Sequence, residues 1–539
     1  MTADPAQAAV LGRIVAARAE AEPDRLVFIF ENGQLPSERV YHRDLAIVGN
    51  KLGYALKRAG LEAGQPVAVM LRNHPEFVYA MVANSRLDLP TVPIDPRCRG
   101  EQLRYFLNFA GCAGLITADY VVAEESTAAI IRKTGIKTYV VSTPEGRAQG
   151  IDVCVEWPTV NEIVAGPERA DVGQRVTDIG RPWLLAYTSG TTGDPKAIVF
   201  NYDRMLFYQR IPQFFGYTDS DIPYTGLSLS HGNALVVTMM PAIGGAVHHS
   251  VFSRWFTRTR LWDVCIAHGC TTWSNLGGIA TAVYSQPASA RDTAHRVRLV
   301  VSAGMPPQLW EPFERRFGVR ILEWYGTMEG GFACNPPGRG PVGSFGRPPE
   351  GLLDMRVFNT DDSEAGPGEV GELVVRPVNV AAAVAYHRNP DASARKTRGG
   401  WLRTGDMCWR DRDGWFYFAH RREEGGLRKM GEFISTGFIG RVLAESPDVL
   451  DVHVYGVPSR GGAPGEADVV AALVVRDKDG FDAPSAFARC ARELERSHVP
   501  DFIQLLDDFP RTASQKVQSR LLVQSFDPAQ PHVFPRDRP

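Results

Sequence analysis

The sequence predicts an α/β protein with a large N-terminal domain, residues 1–422, built of α/β layers plus a β-rich part. A small α+β C-terminal domain, residues 423–539, follows it. Three observations predict this. Strand-like and helix-like segments alternate through the first two-thirds of the chain, short strands with polar turns replace them after about Leu352, and a compact mixed unit follows Arg421. A chain of 539 residues also exceeds the size at which one hydrophobic core keeps growing.

Taken in order, Leu45, Val48, Leu52 and Leu56 recur at helical spacing between His42 and Ala59, which predicts an amphipathic helix. Val67 to Leu71 reads as a short apolar strand, His74 to Arg86 as a helix and Thr91 to Ile94 as a second strand. Strand, helix, strand with short loops is the pattern of a parallel sheet covered by helices. The same unit recurs at Leu299 to Val301, before the turn Ala303-Gly304-Met305-Pro306, and at Arg320 to Trp324. From Met355 to Ala419 the strands are short, with Glu372 to Val375 among them and a hairpin turned at Asp411 to Gly414, as antiparallel pairing requires. The final unit holds a helix near Phe438 to Ala444, strands at Val452 to Val457 and Val469 to Val475, a helix from Pro484 to Arg496, and Phe502 to Leu506.

Composition narrows the function. Fifty-nine Lys and Arg against 61 Asp and Glu leave a net charge of −2, which excludes the basic excess of a nucleic-acid binder. Hydrophobic residues at 44% and charged residues at 22% exclude wholesale disorder. Glycine (52) and proline (38) together supply about one residue in six, more than usual and without a G-X-Y period, so turns and phosphate-style loops are expected. Met1 to Glu20 shows no signal-peptide pattern, and the apolar-leaning stretch Ala234 to Val247 is broken by Pro241, Gly244 and Gly245, too short for a transmembrane segment. Eight cysteines contain no C-x-x-C pair, and Cys265 and Cys270, with His268 between them, lack a second ligand pair. Buried thiols in a reducing cytoplasm are the expectation.

One stretch carries chemistry by itself. In Tyr187-Thr188-Ser189-Gly190-Thr191-Thr192-Gly193-Asp194-Pro195-Lys196, hydroxyl side chains and glycines crowd together just before a lysine. Glycines let backbone N–H groups turn inward, hydroxyls donate further hydrogen bonds, and a lysine adds a point charge, which together suit a polyphosphate. It is not a Walker A loop, because Pro195 precedes the lysine and Ile198 to Phe200 reads as a strand rather than a helix.

This stretch resembles the signature Y-T-S-G-T-T-G-x-P-K-G of the adenylate-forming superfamily, which includes acyl-CoA synthetases, peptide-synthetase adenylation domains and firefly-type luciferases. Further segments follow in the family's order. Tyr325-Gly326-Thr327-Met328-Glu329 is similar to Y-G-x-T-E, and Thr404-Gly405-Asp406 to T-G-D. Arg421 with Gly431-Glu432 is similar to G-R-x-x-D and G-E, and Pro510 to Lys516 to P-x-T-x-x-G-K. The matches span nearly the whole chain. Gln286-Pro287, Asp292, His295 to Arg298, Trp310, Phe313 and Arg315 to Gly318 resemble one branch, the fatty-acid-transport-type acyl-CoA synthetases and the carnitine/crotonobetaine-CoA ligases.

The resemblance implies an ATP-dependent acid–CoA ligase. A carboxylate attacks the α-phosphate of ATP, pyrophosphate leaves, and a thiol takes the acyl group from the adenylate. It implies ATP, Mg²⁺ and CoA, a small-molecule carboxylic acid as substrate, and no nucleic-acid partner; a homodimer is compatible with it. Thr188, Ser189, Gly190, Thr191, Thr192, Gly193 and Lys196 would hold phosphates, and Glu329 would hold the metal, as a hard oxygen ligand suits Mg²⁺. Tyr325 would stack on adenine, with Gly304, Gly326 and Thr327 among the nucleotide contacts. Asp406 would accept from the ribose hydroxyls, Arg421 would donate nearby, and Lys516 would sit over the carboxylate and α-phosphate. His231, in Ser228-Leu229-Ser230-His231-Gly232-Asn233, falls at the acyl pocket, with Trp273, Ser274 and Gly278 as weaker candidates. Glu423 falls at a hinge, which makes the C-terminal domain a mobile lid able to exchange Lys516 for the segment around Gly431. His248-His249 reads as a surface pair rather than a metal site.

Three departures stand out. Ala197 replaces the glycine after the lysine, Met328 stands where the family has threonine, and Gln515 replaces glycine before Lys516. One extra residue near Gly425 lengthens the hinge segment. None removes a charge the chemistry needs. A hydrophobic acid, fatty or polycyclic, is the expected substrate; a betaine-type acid ranks second. An enzyme that loads a carrier protein and a sensor without turnover are the rivals in function.

Overall fold

The computed structural model of the chain describes residues 5–151, 156–188, 195–421, 427–429, 432–434, 436–459, 466–510 and 517–537. Two largely parallel sheets form the N-terminal layers. In the first, the strands lie in the order Lys137–Val141, Gly114–Ala118, Val67–Met70, Thr91–Pro93, Pro182–Thr188, Lys196–Asn201. Neighbours run parallel except the last two, which pair antiparallel with Thr188 opposite Lys196. The strand expected at Ile198 to Phe200 is present, and a second strand, Pro182–Thr188, precedes the hydroxyl-rich segment.

The second sheet has eight strands, in the order Phe332–Cys334, Arg320–Gly326, Leu299–Ala303, Thr272–Leu276, Pro223–Thr225, Ser250–Ser253, Leu26–Asn32, Leu35–Tyr41. Its inner strands are parallel and both edge strands antiparallel. Burial on both faces explains their continuous apolar runs: Val67–Met70, Leu299–Ser302 and Ser250–Ser253 are buried throughout.

Helix His42–Arg58 buries Leu45, Val48, Leu52 and Leu56. Asp44 accepts the Tyr41 N–H at 2.8 Å to satisfy its first turn, and Lys57 and Arg58 sit at its C-terminal, electronegative end. Helix Pro75–Leu87 is buried along almost its whole length, so it lies between other layers. The β-rich part is a five-stranded antiparallel sheet, Ser344–Gly346, Phe416–Arg421, Leu402–Arg410, Gly371–Pro377, Leu353–Phe358. The C-terminal domain carries its own sheet, Val449–Pro458, Ala467–Val475, Phe502–Leu506, Val533–Pro535, with helices Thr436–Ala444 and Ala483–Glu493. Phe438 from the first of these helices is fully buried and meets Tyr105 and Phe106 edge-on, with ring centroids 5.5 and 6.0 Å away.

The branch-like stretch has a structural reason. Helix Pro307–Phe317 buries Trp310, Phe313 and Phe317 in a cluster with Trp262 and Trp273. Arg316 ties the stretch together, bonding Asp292 at 2.8 Å and the Gln286 carbonyl at 2.8 Å. These residues hold one another and give no support to a substrate class.

Among the described residues the cysteines are free, and Cys265 and Cys270 are buried as expected. No described group of His, Cys, Asp and Glu is arranged to hold a metal by itself, and no helix among the described residues is long and apolar enough to cross a membrane. His248-His249 departs from the surface reading: the two Nδ1 atoms are 2.7 Å apart, and while His248 is exposed, His249 is buried. Burial, reinforced by the neighbouring His248, lowers the His249 imidazole to about 4.

Candidate active site

The strand ends of both parallel sheets open into one large cleft of about 2130 Å³, which the β-rich part and the C-terminal domain also line. Loops at the carboxyl ends of parallel strands are where ligands bind in such sheets. The cleft gathers Lys196, His231, Gly304, Tyr325, Gly326, Thr327, Glu329 and Asp406. Thr188 and Arg421 end the strands Pro182–Thr188 and Phe416–Arg421; their side chains, and Ser189, Gly190, Thr191, Thr192, Gly193, Glu423, Gly431 and Lys516, lie outside the described residues.

Helix Gly100–Ala110 holds both ends of the hydroxyl-rich segment. The Tyr187 hydroxyl donates to the Phe106 carbonyl at 2.6 Å and the Tyr105 hydroxyl to the Pro195 carbonyl at 3.0 Å. Phe106 stacks on Tyr187 with centroids 4.1 Å apart. Lys196 then begins the next strand, half-buried. Burial lowers its pKa, and the charges of Arg395 and Lys396 lower it further, while Glu329 pulls it up. Three cations converging on one wall make that wall a site for anionic oxygens.

Two pairs join residues far apart in sequence. The Tyr325 hydroxyl donates to Asp406 Oδ2 at 2.6 Å, so the aromatic and the acidic residue assigned to the nucleoside share one corner. Asp406 is itself set by a tight turn: Gly405 has φ +79°, its N–H donates to Glu372 at 3.1 Å, and Thr404 Oγ1 accepts the Asp406 N–H at 3.1 Å. Only glycine takes that φ without strain. The second pair is Tyr386 with Glu329: the Tyr386 hydroxyl donates to Glu329 Oε1 at 2.8 Å. Arg204 fixes the turn from below, donating to the carbonyls of Met328 at 2.8 Å and Glu329 at 3.0 Å.

The Met328 departure is accommodated by packing. A Cβ on Gly232 would fall 2.7 Å from Met328 Sδ, so the thioether lies directly on the His231-Gly232 turn. Thr327 supplies no replacement hydroxyl, because its Oγ1 is engaged with the Gly330 backbone. Gly326 is required by its neighbour, since a Cβ there would come within 2.6 Å of the Trp324 ring. Gly304, at φ +93°, turns its N–H onto buried Glu323, which also accepts the Met305 N–H at 3.2 Å. Burial pushes the Glu323 carboxyl up to about 8 against those hydrogen bonds.

His231 lines the cleft beside a stretch of π-helix, Ala234–Met239, a widening that recurs at functional sites. Trp273 and Ser274 do not line the cleft. Trp273 packs in the core against Trp262 and Phe313, Ser274 is buried and donates to Asn233, and Leu276 and Ile279 from the same segment face the cleft instead. Sequence reasoning gave no role to Tyr386, Arg204, Glu323 and Arg428, although Glu323 opens the stretch that holds Tyr325 and Glu329 and Arg428 lies just before Gly431-Glu432.

Burial, helped by the charge of Arg428, lowers the His231 imidazole from 6.5 to about 4. Nδ1 accepts the Asn233 N–H at 3.1 Å, so the neutral ring carries its proton on Nε2. A folded-state pKa below the unfolded one gives stability that is complete above pH 6.5 and is lost as the pH falls through about 4. The melting-temperature difference between the wild type and His231→Gln should therefore be constant above pH 6.5 and move against the wild type from there down to pH 4. A difference that stays flat to pH 4 rules out the buried neutral histidine.

Comparison with known proteins agrees with this geometry. Residues 15–383 match the AMP-binding enzyme family model, and residues 439–516 match that of the AMP-binding enzyme C-terminal domain. The sulfoacetate–CoA ligase of Cupriavidus necator is 30% identical over 518 residues, covering 94% of this chain and 96% of that protein. A medium/long-chain-fatty-acid–CoA ligase of Mycobacterium tuberculosis is 28% identical over 549 residues, 96% of this chain and 87% of its own. In fold, the o-succinylbenzoate CoA synthetase of Bacillus subtilis superposes with a TM-score of 0.77 at 21% identity, covering 95% of this chain and 98% of the other. The chain thus belongs to the AMP-binding enzyme family, as an adenylate-forming acid–CoA ligase that works with ATP, Mg²⁺ and CoA.

Proposed function

We propose that the acid this ligase activates is a mainly hydrophobic chain or ring system. The observation that carries this reading is the aromatic and aliphatic part of the cleft, which His231 also lines. Phe207, Trp324 and Phe332 form an aromatic wall there, with Phe332 5.6 Å from Phe207 and 5.9 Å from Trp324 between ring centroids. Ile211, Val236 and Met240 also line the cleft. Two cations lie nearby: Arg204 has its guanidinium on the carbonyls of Met328 and Glu329, and Arg428 lines the cleft and acts on His231 through its charge.

In the same reading the loop from Thr188 to Lys196 holds the phosphates and Asp406 accepts from the ribose, with Tyr325 locked beside it. The donor set suits the metal, because the Glu329 carboxylate offers a hard anionic oxygen on the cationic wall. Bound there, Mg²⁺ would neutralise charge on the phosphate oxygens. The chain's own residues do the remainder: Lys196 draws phosphate oxygens to the wall, and Lys516 is placed over the reacting carboxylate. Residues 423–539 act as the lid, hinged near Glu423, which brings either Lys516 or the segment before Gly431 to the cleft. Arg428, whose charge reaches His231 and Glu323, supports the second placement.

The test is kcat/KM for AMP release with CoA across straight-chain acids of increasing length, a polycyclic side-chain acid, sulfoacetate and a betaine. Each buried methylene should add about 0.8 kcal/mol, so a chain that fills the pocket gains several powers of ten over acetate. A maximum at acetate, sulfoacetate or the betaine would overturn the apolar pocket and leave the ligase assignment standing.

A further inference from the structure

Glu329 and Lys196 come from different sheets, and one side chain lies against both. Tyr386 places its hydroxyl 2.8 Å from Glu329 Oε1 and its ring 5.5 Å from Lys196 Nζ. The ring is buried, in the stretch Ala385-Tyr386-His387-Arg388-Asn389.

The backbone around Tyr386 is seated on the strand that Lys196 begins. Tyr386 bridges Ile198 antiparallel, the Val199 N–H donates to the Ala385 carbonyl at 2.8 Å, and the His387 N–H donates to the Ala197 carbonyl at 2.7 Å. The Tyr386 N–H in turn donates to Ser393 Oγ at 2.9 Å. Hydroxyl and ring thus take their place from the same strand that sets Lys196.

We propose that Tyr386 is a positioning residue of the adenylation site: its hydroxyl fixes the Glu329 carboxylate through Oε1, leaving Oε2 for the divalent cation that accompanies ATP. The inference rests on the reading of Glu329 as the metal ligand. A glutamate carboxyl rotates through a broad, two-fold torsion, and a half-buried one needs an external donor to hold a single orientation. A phenol donating to a carboxylate is a charge-assisted hydrogen bond, among the stronger kinds. Arg204 holds the Glu329 backbone, and the Tyr386 hydroxyl holds its side chain. Hydrogen-bonding partners of metal ligands commonly change metal affinity by about 10- to 100-fold when removed.

Mn²⁺ binding, followed by electron paramagnetic resonance on enzyme held in excess over ATP, tests this without turnover. Four proteins are compared: wild type, Tyr386→Phe, Glu329→Gln and the double variant. Phenylalanine keeps the buried ring against Lys196 and removes only the hydroxyl, so Tyr386→Phe should bind metal-free ATP as the wild type does. It should bind Mn²⁺ about tenfold more weakly, and the double variant should be no weaker than Glu329→Gln. Wild-type Mn²⁺ affinity in Tyr386→Phe overturns the proposal, as does a full additional loss on top of Glu329→Gln. Wild-type Mn²⁺ affinity in Glu329→Gln would instead refute the metal-ligand reading beneath it, a separate and recognisable outcome.

Discussion

Lys516→Ala is expected to lower acid-dependent adenylation by about a thousandfold while leaving thioester formation from supplied acyl adenylate nearly unchanged, because a donor aimed at developing charge commonly supplies 10²- to 10³-fold. The attacking carboxylate and the α-phosphate are both anionic, and a lysine between them acts most strongly at their closest approach. The C-terminal family match reaches Lys516, and that residue lies outside the described part of the structure. The second half-reaction has no such collision of charges. Arg428 and Lys429 line the cleft and, on the proposed lid exchange, belong to the segment presented in that step. Pyrophosphate exchange into ATP measures the first half-reaction, and CoA consumption with preformed adenylate measures the second. Equal losses in both would refute the lid exchange and the division at residue 422 with it.

Much of the framework could be read from periodicity because the parallel sheets impose it. Leu45, Val48, Leu52 and Leu56 face inward in one helix, and the strand Phe502–Leu506 has the bounds expected from its apolar run. Where the sequence was misleading, the residue type was right and the neighbour was unknown. Trp273 invites a pocket role by its size, yet its ring fills the core against Trp262 and Phe313. The stretch from Gln286 to Gly318 marks a family branch through residues that bind one another, Arg316 with Asp292 among them.

The site divides along the same line. Residues singled out from contiguous motifs, Tyr325 and Asp406 among them, reach one cleft, because each motif packs several polar groups into a few positions. Nothing local reveals that the Tyr325 hydroxyl meets Asp406, or that Arg204 and Tyr386 hold Glu329 from two directions. Those contacts join residues far apart in the chain, and a long-range contact leaves no trace in spacing. The Met328 departure shows the converse: a lost hydroxyl looks like a defect in sequence, but the thioether packs onto Gly232 and serves as a wall.

Glu329→Gln should fold normally, lower adenylation by about a hundredfold at ordinary Mg²⁺ and recover part of that loss at high Mg²⁺, since a neutral amide oxygen is a poorer ligand for a hard cation but does not empty the site. Folding should survive because the substitution is isosteric and the side chain is only half-buried. Arg204 continues to hold the turn through backbone carbonyls. A second effect adds to the metal one. Glu329 is the group that opposes the lowering of the Lys196 pKa, with burial, Arg395 and Lys396 on the other side. Removing its charge leaves the cationic wall uncompensated, which favours binding of the phosphates themselves. The KM for ATP should therefore rise less than kcat falls, and Mg²⁺ titration should move the rate rather than the ATP affinity. Wild-type adenylation at ordinary Mg²⁺ would remove Glu329 from the metal site, and a loss that no Mg²⁺ concentration relieves would show that the carboxylate acts on the substrates directly.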